Sequence, residues 1–287
     1  MSAFSEIHEF LGVRFRMVTD SEEVRGEARR LFRGPGEHRG SWDFEFVLSE
    51  EGGPMERETG TPLYMEAPAH CTLFVSDEGE ACFDPATKTA RGSVSPRYRG
   101  EAGSLSLLCR LMERALGLRG RIPVSGLSWH LGRDALLACA ASEREKGALS
   151  AFLDSIGTRP FKAGTNYVWI FEKGVALSDN DAAETTGQTR ARAHPARLAG
   201  LLFVDENEIG SGRVRELSED EAAHRIAGAV QMMDDDPTVV ENAGKVVSAM
   251  SRLPIRAVSP EGLSRATVAE LKQAFRFTAI PPGSEPS

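Results

Sequence analysis

Over the first hundred residues the apolar positions come in short runs broken by polar and Gly/Pro clusters. Phe44, Phe46 and Leu48 lie two apart across Glu45 and Val47, the period that gives a strand one buried face. Cys71 to Ser76, then Asp77-Glu78-Gly79-Glu80, then Ala81 to Phe83 predicts a hairpin about a Gly-containing turn. Gly34 to Gly40 and Glu50 to Thr61 have the composition of loops. The period lengthens at Leu105. Leu105, Leu108, Cys109, Met112, Ala115 and Leu116 share one face at helical spacing, and Gly117 and Gly120 end that helix.

Beyond it strands and helices alternate. Ile122 to Leu131 and Ala135 to Ala140 are apolar runs joined by Gly132-Arg133-Asp134, a tight turn between buried strands. A polar loop, Ala141 to Glu145, leads into a helix with Leu149, Phe152, Leu153 and Ile156 on one face. Tyr167 to Phe171 is a strand by its aromatic and β-branched content, with Gly174 and Val175 to Leu177 as its hairpin partner. Residues 178–196 are polar and aperiodic, a long loop, and Leu198 to Val204 is a further buried strand. Ser218-Glu219-Asp220-Glu221 is a capping box ahead of Ala222, Ile226, Ala229, Val230 and Met233. Asp236-Pro237 opens a helix carrying Val239, Val240, Ala243, Val247 and Met250. A strand at Ile255 to Val258 and a helix from Ser264 to Phe275 follow. The expected organisation is a β-rich region over 1–100, a second domain over 101–277 and a disordered tail over 278–287.

Composition narrows the function classes. Asp and Glu number 42 against 34 Lys and Arg, a net charge of −8. This gives no electrostatic reason to expect nucleic acid or an anionic membrane as partner. Cys71, Cys82, Cys109 and Cys139 form no C-x-x-C pair and sit in apolar stretches, so neither zinc nor a disulfide framework is expected. The N-terminal MSAFSEIHEFLGVRF has no long apolar core, and no stretch approaches the ~18 apolar residues of a membrane helix. A cytoplasmic location is the default expectation.

Three pieces, LLCRLMERALGLRGRIPVSG, LGRDALLACAASEREKGALSAFL, and LAGLLFV followed by VRELSEDEAAHRI, stand in an order that resembles the HPr kinase-like family, relatives of the HPr kinase/phosphorylase and more distantly of PEP carboxykinase. The resemblance covers about residues 60 to 275. It implies an α+β fold with an α/β core, a PEP carboxykinase-like mixed sheet with flanking helices, preceded by the β-rich N-terminal region. Active members carry a phosphate loop G-x-x-x-x-G-K-[ST], which the frame puts from Ala140. Such a loop needs glycines so that backbone N–H groups can turn inward on a phosphate, a Lys for the outer phosphates and a hydroxyl for magnesium.

Here the first glycine position is Ala140, the last is Glu145, and the hydroxyl position is Gly147. Lys146 survives, and with Ser142 forms a vestigial phosphate loop; Glu143 and Glu145 add charge that opposes a phosphate ~4 Å away by about 1 kcal/mol each even in bulk water. The family's paired magnesium-binding aspartates fall at Thr165-Asn166, which carry no charge to hold a dication or act as base. Where many relatives show a His-containing run, this chain has Ser125-Gly126. The resemblance therefore implies a scaffold without catalytic residues or cofactor, a binding or regulatory partner of another protein, and leaves a homo-oligomer open. The alternative it implies is an ATP-binding, serine kinase-like enzyme with ATP and magnesium at an unorthodox site around Lys146, Asp179 or Asp181 replacing the lost acids.

Other candidates have plainer readings. Lys146 stands at a helix start, where anions are favoured, yet pairing with Glu143 or Glu145 also accounts for it. Asp179 and Asp181 in SDND suit turn positions. Arg190, Arg192, His194 and Arg197 form a basic cluster in the long loop that a solvated face explains. His130 beside Trp129 reads as a packed or half-exposed strand residue, and Asp234-Asp235-Asp236 as the acidic start of a helix.

Overall fold

The structure, a computed structural model, describes residues 4–32, 40–50, 63–67, 71–76, 78–96, 98, 106–131, 134–140, 144–145, 147–149, 151, 164–172, 174–179, 195–204, 214–230, 236–259 and 265–275. The chain is a mixed α+β protein of two compact units, Met1–Arg119 and Gly120–Ser287, each built on a seven-stranded sheet. Among the described residues no helix is long and apolar enough to cross a membrane.

In the first unit β1 (Phe4–Phe10) and β2 (Val13–Thr19) form a hairpin whose two-residue loop, Leu11-Gly12, has positive φ at both positions, 53° and 72°. That double left-handed turn matches the right-handed twist of the strands it joins. α1 (Glu22–Leu31) then carries the chain to β3 (Phe44–Glu50), which lies parallel to β2. A meander of β4 (Leu63–Ala67), β5 (Cys71–Ser76), β6 (Gly79–Asp84) and β7 (Thr89–Val94) returns β7 parallel to β3, giving the order β1-β2-β3-β7-β6-β5-β4. The β5–β6 hairpin is the one the sequence predicts.

Strict alternation along β2 and β3 sends Phe15, Phe44, Phe46 and Leu48 inward. α1 packs on β1 and β2, α2 (Leu107–Leu118) on β5 and β6, and the two helices on each other. The sequence pattern gives a β-rich region before residue 100, and α1 is a helix that it does not pick out. Its inward residues are Val24, Glu27 and Ala28, so a carboxylate occupies part of the stripe that apolar periodicity relies on. The compact unit also takes in α2, which the sequence reading puts at the head of the second domain. α2 is buried on nearly every side, Arg110, Glu113 and Arg114 included, and its packing on α1, β5 and β6 fixes its membership.

Glu27 shows how this unit holds a buried acid. Tyr98 Oη donates to Glu27 Oε2, and Ser106, which also caps α2 by accepting from the Cys109 N–H at 3.1 Å, hydrogen-bonds Glu27 as well. Burial raises the Glu27 carboxyl above its ordinary range, and the hydrogen bonds from Ser106 and Tyr98 only partly oppose it. A carboxyl raised on folding stabilises the fold when protonated. Its contribution is therefore complete below the unfolded value near 4.5 and is lost as pH rises through the folded value. Glu27→Gln, neutral at every pH, should lose this slope, so its urea midpoint should gain on that of the parent chain between pH 4.5 and neutrality. Parallel pH profiles would mean that Glu27 ionises in the fold as freely as in the unfolded chain.

In the second unit β8 (Ile122–Leu131) and β9 (Asp134–Cys139) form the predicted hairpin, and β10 (Gly164–Phe171) pairs with β8 and with β11 (Gly174–Asp179). β9, β12 (Ala196–Val204) and β14 (Ile255–Val258) run parallel, and β13 (Arg215–Glu216) edges β14. β11 also pairs with the start of β12, so the pairings β8-β9-β12-β11-β10 close into a ring.

The parallel strands are covered on both faces, which is why they read as unbroken apolar runs. On one face Leu137, Leu201 and Ala257 join Ile226 of α3 (Glu219–Ala229) and Val246 and Met250 of α4 (Pro237–Met250). On the other, Leu136, Leu202 and Val258 join Leu149, Leu271 of α5 (Arg265–Ala274) and Phe275. Both predicted helix starts are present: Ser218 accepts from the Glu221 N–H at 3.3 Å and Asp236 from the Thr238 N–H at 2.7 Å.

Candidate functional site

The strand β9 delivers the chain to Ala140, and residues 144, 145, 147–149 and 151 are helical. Strand and helix thus stand where the sequence predicts them. Lys146 and Ser142 lie outside the described residues. Of their neighbours, Arg144 is exposed, Glu145 is buried, and Gly147 is exposed with open space where a Cβ would sit.

Asn166, where the sequence resemblance would put an acid, is 2% exposed on β10 and donates from Nδ2 to the Gly126 carbonyl at 2.7 Å. The bond ties β10 to β8 beside the Gly164↔Gly126 pair. Gly126 itself has no room for a side chain, since a Cβ there would meet the Ala138 carbonyl oxygen and Leu137 Cδ1 at 2.8 Å each. This region is therefore closed by packing and by a neutral amide. Opposite Asn166 in the hairpin register stands Asp179, the last residue of β11 and so a strand residue rather than part of a turn.

The other sequence candidates separate. Arg197 belongs to β12, not to the long loop, and makes a bidentate pair with Asp134 at 2.8 and 3.1 Å, which raises its guanidinium further above its ordinary value. Arg190, Arg192, His194, Asp181, Asp234 and Asp235 lie outside the described residues, as does the side chain of His130. Trp129 is buried in the core. Asp236 caps α4. Among the described residues no three or more His, Cys, Asp or Glu side chains stand together to hold a metal ion.

The second unit does contain a cleft of about 990 Å³ that sequence reasoning missed. It is bounded by the second half of α4, the turn end of the β10–β11 hairpin, the start of β12 and Phe275. Its volume is that of a site for a small molecule or a few side chains. Gly200 of β12 makes room for one wall, because a Cβ there would collide with the Phe275 ring and stand 2.9 Å from the Pro254 oxygen. Ile170, 48% exposed, and Phe171, 36% exposed, offer apolar surface at its mouth.

Its charges are mostly matched. Asp134 is held by Arg197, and Glu241 by Lys245 at 2.6 Å one helical turn along, with the Lys245 ammonium keeping the Glu241 carboxyl below its usual range. Arg252, just past the end of α4, lines the cleft with an exposed side chain. The helical spacing of Glu241, Lys245, Ser248 and Arg252 can be read from the sequence as a polar face, but what stands across from that face cannot.

The fold and the cleft define a class, a two-unit α+β protein with an amphipathic groove beside a three-stranded parallel core. No protein-family model and no curated protein matches the chain.

Proposed function

We propose that this chain is a non-catalytic protein on the HPr kinase-like, PEP carboxykinase-like fold, whose role is to bind another protein rather than to transfer phosphate. Asn166 carries the reading. At the position where the resemblance requires an ionised acid for magnesium, the side chain is a buried amide spent on a backbone carbonyl. A neutral amide neither balances a dication nor accepts a proton at neutral pH. The carboxylates of the cleft offer no substitute, because Asp134 and Glu241 are each engaged by a cation. The strand-then-helix order at residues 134–151 supports the kinase-like scaffold.

One observation favours a second reading, a nucleotide-binding kinase with a displaced acid: Asp179 is the register partner of Asn166. Thermal unfolding with and without ATP and magnesium separates the two. A ligand at about a hundred times its dissociation constant stabilises the fold by ~2.7 kcal/mol. The non-catalytic reading expects no shift in the parent chain or in Lys146→Ala. A magnesium-dependent rise in Tm that both Lys146→Ala and Asp179→Asn abolish would replace it with the kinase reading.

A further inference from the structure

Two of the four cysteines are sealed in the core. Cys109 and Cys139 are buried, and burial pushes both thiols up, that of Cys139 to about 12. Cys71 and Cys82 are half-exposed. Along β5 and β6 the half-buried positions Cys71, Leu73, Cys82 and Asp84 alternate with the buried Thr72, Phe74, Ala81 and Phe83, so both thiols lie on the outer face of the first unit's sheet. Leu73 is the register partner of Cys82. Cys71, two residues before Leu73 on the same face, is therefore its diagonal neighbour. Register and shared face thus set the Cys71 and Cys82 side chains side by side on the outer surface of adjacent strands.

We propose that Cys71 and Cys82 are a reversible dithiol, oxidised by a low-molecular-weight disulfide to a cross-strand disulfide. Cys71, at the strand end just outside the β5–β6 ladder, is the attacking sulfur, as its thiolate. Its sulfur bonds one sulfur of the oxidant, the oxidant's S–S bond breaks, and the first thiol leaves. Cys82 then loses its proton and attacks the Cys71 sulfur, expelling the second. Two protein thiols are oxidised and one small disulfide is reduced to two thiols, so electrons and protons balance.

Geometry also says what kind of bond this is. Diagonal neighbours on paired strands have Cα atoms ~7–8 Å apart, against ~4.4–6.8 Å across a disulfide. One residue has to move, and Cys71 can. It is the first residue of β5, the β5–β6 ladder begins only at Thr72↔Phe83, and its own pairing is to Ala67 of β4. A bond that draws a strand end inward is more easily reduced than a relaxed structural disulfide. The charged groups on the same face are Glu80, Asp84 and Arg91, the last directly opposite Cys82 on β7.

The test is incubation of the reduced full-length chain with oxidised glutathione, followed by mass spectrometry and peptide mapping. The chain should lose the mass of two hydrogens at a Cys71–Cys82 link and regain it with dithiothreitol, while Cys109 and Cys139 stay reduced. Cys82→Ser should stop at one glutathionyl group on Cys71. Cys71→Ser should acquire no disulfide, and its unchanged melting curve would exclude misfolding as the cause. An unmodified parent chain, glutathione on both cysteines, or a link to a different cysteine would overturn the assignment.

Discussion

Phe15→Ala should destabilise the first unit by about 3–5 kcal/mol, the usual cost of deleting a buried aromatic ring. Phe15 is 0% exposed at the centre of β2. Its ring stacks on Phe32 at 4.9 Å and Phe44 at 6.0 Å and tilts against Phe46 at 5.5 Å. These partners come from two places, β3 and the residue that caps α1. The ring therefore joins the β2–α1–β3 crossover to the sheet, and its loss leaves a cavity that strands fixed by parallel pairing cannot close. Phe15→Leu, which keeps most of the volume, should cost ~1–2 kcal/mol. Hydrogen exchange read at the β2 and β3 amides of the full chain localises the effect to this unit. A Phe15→Ala loss under about 1 kcal/mol would show that the aromatic cluster repacks freely.

Glu6 should show the opposite pH response to Glu27, with an effect of about 2 kcal/mol. On β1, 3% exposed, it accepts from Arg25 Nε at 2.8 Å and from Arg29 at 2.6 and 3.1 Å, with His8 Nε2 at 3.5 Å. Burial by itself raises its carboxyl, but the hydrogen bonds and charges of Arg29 and Arg25 outweigh burial and hold it below the ordinary value. His8, stacked on Phe32, is held below its own usual value by burial, with Glu6 opposing and Arg29 adding to the effect.

Removing one partner of a fully buried ion pair costs ~3–5 kcal/mol. Here Arg25 and Arg29 keep 21% and 40% of their side chains in water, so the stranded cations rehydrate and the cost is smaller. A carboxyl depressed on folding stabilises above the unfolded value near 4.5, and the contribution disappears as pH falls through the folded value. Glu6→Gln should therefore lower the urea midpoint at neutral pH and converge on the parent chain in acid. A constant difference at all pH would mean that Glu6 contributes shape rather than charge.

The two carboxylates illustrate what a linear reading misses. Each sits where alternation or helical spacing puts a core residue, and neither is apolar, so pattern alone gives no sign that either is buried. Their states follow from neighbours distant in sequence, two arginines for Glu6 and a tyrosine and a serine for Glu27.

Where local physics dominates, the chain was legible. The β5–β6, β8–β9 and β10–β11 hairpins have short turns between periodic runs, the starts of α3 and α4 are written in Ser218 and Asp236-Pro237, and the apolar runs of β9, β12 and β14 mark strands buried on both faces. The site was less so. Sequence singled out Asn166 as a missing acid, while only the fold gave its amide the Gly126 carbonyl.

The sequence by itself determined the mixed α+β class, the order of these elements and the uncharged residues at the expected metal position, because propensity, period and side-chain chemistry act over a few residues. Tertiary structure alone decided that α2 joins the first unit, that α4 and the β10–β11 hairpin enclose a cleft, that Arg197 serves Asp134, and that Cys71 lies diagonal to Cys82. Each of these depends on which strands pair and in what register, and a shift of one residue in register would turn every side chain of a strand to the opposite face.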